Sequence, residues 1–281
     1  MSQGLTKTKR RIQSVTATKK ITKAMNLVAT VKLKRWKENM ENQLSYLKYM
    51  EEIISSCANE VDPNGDFLEF KKYPKAKADL YIVVSSTLGL CGGYNYNMFK
   101  FVNNTIQKND KIYVIGTKGF SKLSREEVDL DDQYVTFLDK FDYQKVHSLK
   151  DDLVKLYSSG EYRSVKLIST TYKNSLTFIP KVMQLLPLEN LSKNESDQSI
   201  IFEPNRKEVF SLIVPKYLET LIYGKLTEAM VCEQASRRNA MDNATDNAEE
   251  LLDKLKIEFN KARQASITQE ITEVVGGSIN K

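Results

Sequence analysis

The segment TLGLCGGYN (87–95) has the composition of a ligand loop: three glycines, a thiol and a tyrosine, set between a β-branched run and a helical stretch. In α/β folds that junction is where nucleotide phosphates meet backbone N–H groups at a helix start. The spacing does not supply such a cradle. Neither G-x-G-x-x-G nor G-x-x-x-x-G-K-[ST] is present, and the segment reads as a tight strand-to-helix turn. Cys91 would serve as a nucleophile only beside a base. The chain's one histidine, His147, lies far along in a stretch without a motif. DNATDNAEELLDKL (242–255) offers neighbouring carboxylates for acid–base or metal chemistry, but no histidine stands near them. Its spacing suits an exposed helix face. Cys57, Cys91 and Cys232 form neither a disulfide framework nor a metal pattern, and they fit a reducing compartment. No catalytic, cofactor-binding or metal-ligating residue is therefore expected.

Charge is the next signal. The net charge is +6, but residues 1–37 hold 11 Lys/Arg and no Asp/Glu, and the remainder nets −5. A basic start of this kind suits nucleic-acid phosphates, a solvated helix face, or an acidic protein partner. Charge alone leaves the three open. The start has no apolar h-region of a secretory signal, and no apolar run approaches the roughly 18 residues that span a bilayer. The sequons at Asn103, Asn190, Asn194 and Asn243 then read as chance matches.

These segments need elements to position them. Residues 5–58 contain no proline and no glycine. Trp36, Met40, Leu44, Leu47, Met50 and Ile54 follow steps of 4, 4, 3, 3 and 4, a coiled-coil seam. Ile12, Val15, Ile21, Met25 and Val28 extend it more loosely. At about 1.5 Å per residue the helix reaches roughly 80 Å. Next, DLYIVVSS (79–86), KIYVIG (111–116), YRSVKLIST (162–170) and FIPKVMQLLPL (178–188) read as strands. Helical stretches at 94–108 and 143–158 alternate with them, which predicts a largely parallel sheet. ENLSKNESDQS (189–199) is a loop. A second long helix starts near Arg206, with Pro215 in its early turns and Gly224 as a weak point. Leu252, Leu255, Phe259 and Ala262 give it a 3/4 stripe, and it stops at Gly276 and Gly277. Neither long helix buries its stripe alone.

The predicted architecture is α+α/β: a long antiparallel coiled coil of N- and C-terminal helices with an inserted Rossmann-like α/β domain. The segments are 1–60, 76–200 and 206–281. The tail NKARQASITQEITEVVGG (260–277) stands apart. It has an apolar stripe of Ile267, Ile271, Val274 and Val275, opposite the small or uncharged Ala265, Ser266, Thr268, Gln269 and Thr272. A surface helix normally turns charge to water, so this one is expected to fit into something other than water.

Both ends resemble the gamma subunit of F-type ATP synthases. The resemblance rests on RRIQSVTATKKITKAMNLVATVKLKR (10–35), CEQASRRNAMDNATDNAEELL (232–252) and NKARQASITQEITEVVGG (260–277). GLCGGYN (89–95) and FEPN (202–205) add to it, all in the family's order. It implies a non-catalytic shaft without cofactors that turns inside a ring of alpha and beta subunits. The α/β domain would meet epsilon and the membrane ring of c subunits. It also implies a position on the inner, cytoplasmic face of an energy-coupling membrane, the bacterial plasma membrane, with membrane contact only through partners. Carried over by position, Lys20, Lys23 and Met25 face an acidic lever of beta. Arg237 is a contact on the second helix, and Arg263, Thr268, Gln269 and Glu270 lie near the upper bearing. Thr87 and Leu88 replace the family's Asp-Arg pair, and 117–160 carries no specific match. An alternative is the shaft of a divergent rotary ATPase that drives another machine, for example motility. A more distant one is a basic coiled-coil nucleic-acid binder, which leaves the low-charge tail unexplained.

Overall fold

The computed structural model describes residues 2–57, 67–188 and 202–279, so the expected loop at 189–199 lies outside the described residues. The chain divides into two compact units, Met1–Val31 with Arg237–Lys281, and Lys32–Ser236. Two long helices, α1 (Ser2–Cys57) and α5 (Arg206–Ile279), contribute to each. The α5 helix continues through Pro215, Gly276 and Gly277 to Ile279, beyond the stop expected at the glycines. A helical glycine costs about 1 kcal/mol but does not forbid the next turn.

In the unit Lys32–Ser236, five strands form one sheet. They are β1 (Ala78–Val84), β2 (Lys111–Ile115), β3 (Asp129–Asp131), β4 (Tyr162–Tyr172) and β5 (Phe178–Leu186), in spatial order β3-β2-β1-β4-β5. The first four pair in parallel, and β5 returns antiparallel to β4. Helices α2 (Tyr94–Thr105), α3 (Thr117–Leu123) and α4 (Tyr143–Ser158) make the crossovers. The central strand β1 is buried on both faces, as a crossover-covered strand must be. Its alternate residues feed two cores. Leu80, Ile82 and Val84 pack with Leu149, Leu153 and Tyr157 of α4 and with Phe210, Leu218 and Leu226 of α5. Tyr81 and Val83 pack with Met98 and Val102 of α2. The Gly116 backbone has φ +102°, and a Cβ there would stand 2.3 Å from the Ser85 carbonyl oxygen, so only glycine lets β2 pass this close.

The β1 start is tied by a buried carboxylate. Asp79 accepts from Arg163 Nη2 and Lys166 Nζ, each at 2.6 Å, and from Ser164 Oγ at 2.8 Å. Burial pushes its pKa up, but these hydrogen bonds outweigh burial and hold it below the usual carboxylate range.

In the unit of Met1–Val31 and Arg237–Lys281, α1 and α5 lie antiparallel. Lys19 pairs with Glu249 at 2.7 Å, Thr245 Oγ1 donates to Thr22 Oγ1 at 2.8 Å, and Asn26 Nδ2 donates to Asp242 Oδ1 at 2.9 Å. Thr22, Ala29, Met241, Ala248, Leu252 and Leu255 are buried. The loose stripe expected on α1 is corrected at two of its five positions, Ile12, Val15 and Met25 being half-buried. Ile21 is 60% and Val28 56% exposed, while the inward positions run Val15, Lys19, Thr22, Asn26 and Ala29. The 3/4 alternation persists, with polar side chains occupying several of its inward positions. The same correction applies to α1 in the other unit: Leu44 is 58% exposed and Gln43 takes the more buried position. Ala262 is also exposed.

Candidate partner-contact surface

The glycine-rich turn is a brace. Leu90 adopts φ +60°, which lets the chain reverse before α2. Asn95 Nδ2 donates to Ser86 Oγ at 2.7 Å, and Asn95 Oδ1 accepts from the Ser86 N–H at 3.2 Å. Ser236 Oγ donates to the Cys91 carbonyl at 2.7 Å, and Tyr94 Oη donates to the Ala229 carbonyl at 3.4 Å, fastening the turn to α5. The side chains of Ser86, Tyr94, Asn95 and Ser236 in this brace all bond to the protein itself. His147 is engaged elsewhere, 3.1 Å from Glu219 Oε2 and 3.4 Å from Asp151 Oδ2. The Cys232 thiol is pushed up by burial, which disfavours the thiolate. Among the described residues no group of three or more His, Cys, Asp or Glu is placed to hold a metal ion. Leu88, Leu90 and Tyr96 project outward around the turn.

The outward face of α1 between residues 20 and 31 mixes charge with apolar surface. Lys20 and Lys23 are exposed, and Met25 is half-buried. Leu27 and Val31 stand one and two helical turns beyond, both exposed, beside Ile21 and Val28. These four apolar residues extend the expected contact set. Their sequence signal was the heptad itself: once Thr22, Asn26 and Ala29 face inward, Ile21, Val28 and Val31 must face outward.

Arg237, expected as a contact, is only 6% exposed. It closes the run of buried residues 231–237 on this helix.

The tail of α5 has a distinct surface. Arg263, Thr268 and Glu270 are exposed and Gln269 is half-buried, its Nε2 donating to Glu273 at 2.8 Å. Ile267, Ile271, Val274 and Val275 are all exposed. Thr268 Oγ1 donates to the Gln264 carbonyl at 2.9 Å and Thr272 Oγ1 to the Thr268 carbonyl at 2.8 Å. Hydroxyls bound to the helix's own carbonyls leave their methyl groups for the outside.

Comparison with known proteins accounts for a helix pair with so much uncovered apolar surface. The family model described as ATP synthase matches residues 4–279. The ATP synthase gamma chain of Mycoplasma mobile is 37% identical, with 98% of each chain covered. This chain belongs to the ATP synthase gamma chain family. Gamma-chain architecture also appears in solved structures. A Euglena gracilis mitochondrial ATP synthase rotor chain superposes with TM-score 0.66 at 14% identity, covering 95% of this chain and 100% of that one. A central-stalk chain of the Tetrahymena thermophila mitochondrial ATP synthase gives TM-score 0.55 at 26% identity, covering 80% and 99%. The family read from the terminal motifs is borne out, as is the fold of long helices around an α/β sheet.

Proposed function

We propose that this gamma chain is the central rotating shaft of an F-type ATP synthase. It carries torque between a ring of alpha and beta subunits, which holds the nucleotide sites, and the c ring in the membrane. The observation that carries the reading is gamma-family membership across the chain, joined to the exposed basic and apolar face of α1 and the exposed apolar tail of α5. The Tetrahymena neighbour comes from a central stalk and c-ring assembly.

Lys20, Lys23 and Met25, with Ile21, Leu27, Val28 and Val31, meet an acidic beta lever. Arg263, Thr268, Gln269 and Glu270 line the upper bearing, and Arg237 is a further contact with the ring on the second helix. The segment 76–200 forms the domain that meets epsilon and the c ring, while 1–60 and 206–281 supply the shaft. Each rotational step presents a different face to three equal beta subunits and shifts which is open. A shaft does this only through contacts that differ between the states.

The chain itself is non-catalytic and requires no cofactor. It sits on the inner face of a bacterial plasma membrane and touches the membrane through partners. No helix among the described residues is long and apolar enough to cross it, and the Mycoplasma mobile relative is bacterial.

A second reading, a divergent rotary ATPase that drives another machine, draws on Leu88. It is exposed in the brace turn, where an Asp-Arg pair is the family's usual choice. Native affinity purification separates the two readings. Recovery of alpha, beta, epsilon and c subunits supports the synthase shaft. Recovery of alpha and beta without c supports the divergent motor, and recovery of neither ring subunit overturns both.

A further inference from the structure

In the unit Lys32–Ser236, a half-open cavity of about 170 Å³ lies among α1, α5 and the end of β4. Met40, Leu44, Leu47 and Leu221 supply an apolar wall. Gly224 borders open space in this lining: a Cβ built there meets nothing within 4 Å. An interior helical glycine is otherwise a disadvantage. In size the space matches an engineered apolar cavity of about 150 Å³ that admits benzene.

Its polar rim is largely self-satisfied. Lys225 Nζ donates to Glu228 Oε2 at 2.8 Å, and Glu228 Oε1 accepts the Tyr172 N–H at 3.0 Å. Thr220 Oγ1 donates to the Lys216 carbonyl at 2.8 Å. The charges cancel each other, so nothing here calls for an ionic ligand. Gln43 differs, because its Oε1 is shut off from water and has no hydrogen-bond partner among the described residues. The amide torsion χ3 is broad, so a modest rotation turns that acceptor into the cavity.

We propose that this cavity is a binding site for a small neutral amphiphile, an aromatic or alicyclic body with a single hydroxyl or N–H donor. The body fills the space over Gly224 and the donor satisfies Gln43 Oε1. The site is separate from the surfaces assigned to the ring subunits.

The test titrates the full-length chain with phenol and with anisole, which keeps the ring but lacks the donor, followed by ligand-observed NMR. Phenol is expected to bind saturably and about tenfold more tightly than anisole, the ratio that one buried hydrogen bond gives. Gly224→Leu fills the cavity and is expected to weaken phenol binding at least tenfold. Gly224→Ala, which retains most of the space, keeps it. Gln43→Met holds the side-chain length and is expected to abolish the preference for phenol over anisole. Phenol that fails to saturate, or that binds the folded Gly224→Leu chain unchanged, overturns the site. An unchanged preference in Gln43→Met overturns the role of Gln43, whether or not the Gly224→Leu chain folds.

Discussion

Thr245 Oγ1 donates to Thr22 Oγ1 across the paired helices at 2.8 Å, placing a polar layer at a seam position where apolar side chains usually meet. Thr245 Oγ1 also lies 2.7 Å from the Met241 carbonyl, so its single proton is shared between an acceptor across the pair and one on its own helix. A buried polar pair contributes little net stability, but it penalises any slip that would set one hydroxyl against a methyl. The double substitution Thr22→Val with Thr245→Val is expected to change stability by less than about 1 kcal/mol. Cross-linking of engineered cysteine pairs along the two helices should then reveal more than one register. A single register in the double variant would remove the specificity role.

Met25→Lys adds a third cation beside Lys20 and Lys23, at a half-buried site. The expected outcome is intact folding by circular dichroism with impaired coupling between ATP hydrolysis and ion pumping in reconstituted vesicles. Unaltered coupling and rotation would remove the contact with the beta lever.

Asp79 makes stability depend on pH in a defined direction. Its folded-state pKa is depressed, so its contribution is complete above the ordinary carboxylate value of about 3.9 and is lost as pH falls through the folded value. Asp79→Asn is expected to cost about 2 kcal/mol at neutral pH, since it leaves Lys166 and Ser164 without their anionic acceptor. The difference between wild type and variant should shrink as pH falls below about 4. Chemical denaturation at several pH values measures both.

Two glycines respond in opposite senses. Gly116→Ala forces a Cβ against the Ser85 carbonyl at positive φ and is expected to destabilise by more than about 2 kcal/mol. Gly224→Ala adds a methyl into open space within a helix and is expected to stabilise by up to about 1 kcal/mol. Thermal unfolding of the two variants separates them.

Ile271→Asp alters an exposed side chain of the tail. The unfolding midpoint of the isolated chain should hardly move, whereas assembly with alpha and beta should fall severalfold by analytical gel filtration. Undiminished assembly would count against the tail as a bearing surface.

How far the sequence was readable varied along the chain for physical reasons. Met40, Leu47, Met50 and Ile54 lie in the seam as their spacing predicts, because apolar side chains there match the helical period. Ile21, Val28 and Leu44 misled, because Thr22, Asn26 and Gln43 occupy inward positions and polar residues carry no seam signal unless their partners are known. Strands β1, β2, β4 and β5 were legible from β-branched runs. Strand β3 is three residues, Asp129–Asp131, with two acidic side chains, too short for any periodicity. The brace segment was legible as a strand-to-helix turn from its glycines between a β-branched run and a helical stretch, but its attachment to Ser236 and Ala229 joins residues far apart in sequence. The near-complete burial of Arg237 was not legible either, because burial depends on the packed neighbours and not on the residue's own type.

The hydroxyls of Thr268 and Thr272 have a mechanical consequence. A hydrogen bond has a direction, and an axle that offers donors to its housing acquires preferred angles, each a notch to be climbed on every revolution. With those donors folded back onto Gln264 and Thr268, the tail offers methyl groups in their place. Dispersion contacts between methyl groups depend weakly on angle, so at these two positions of the proposed bearing surface grip and detent are separated: a contact there would hold the axle laterally without adding a notch.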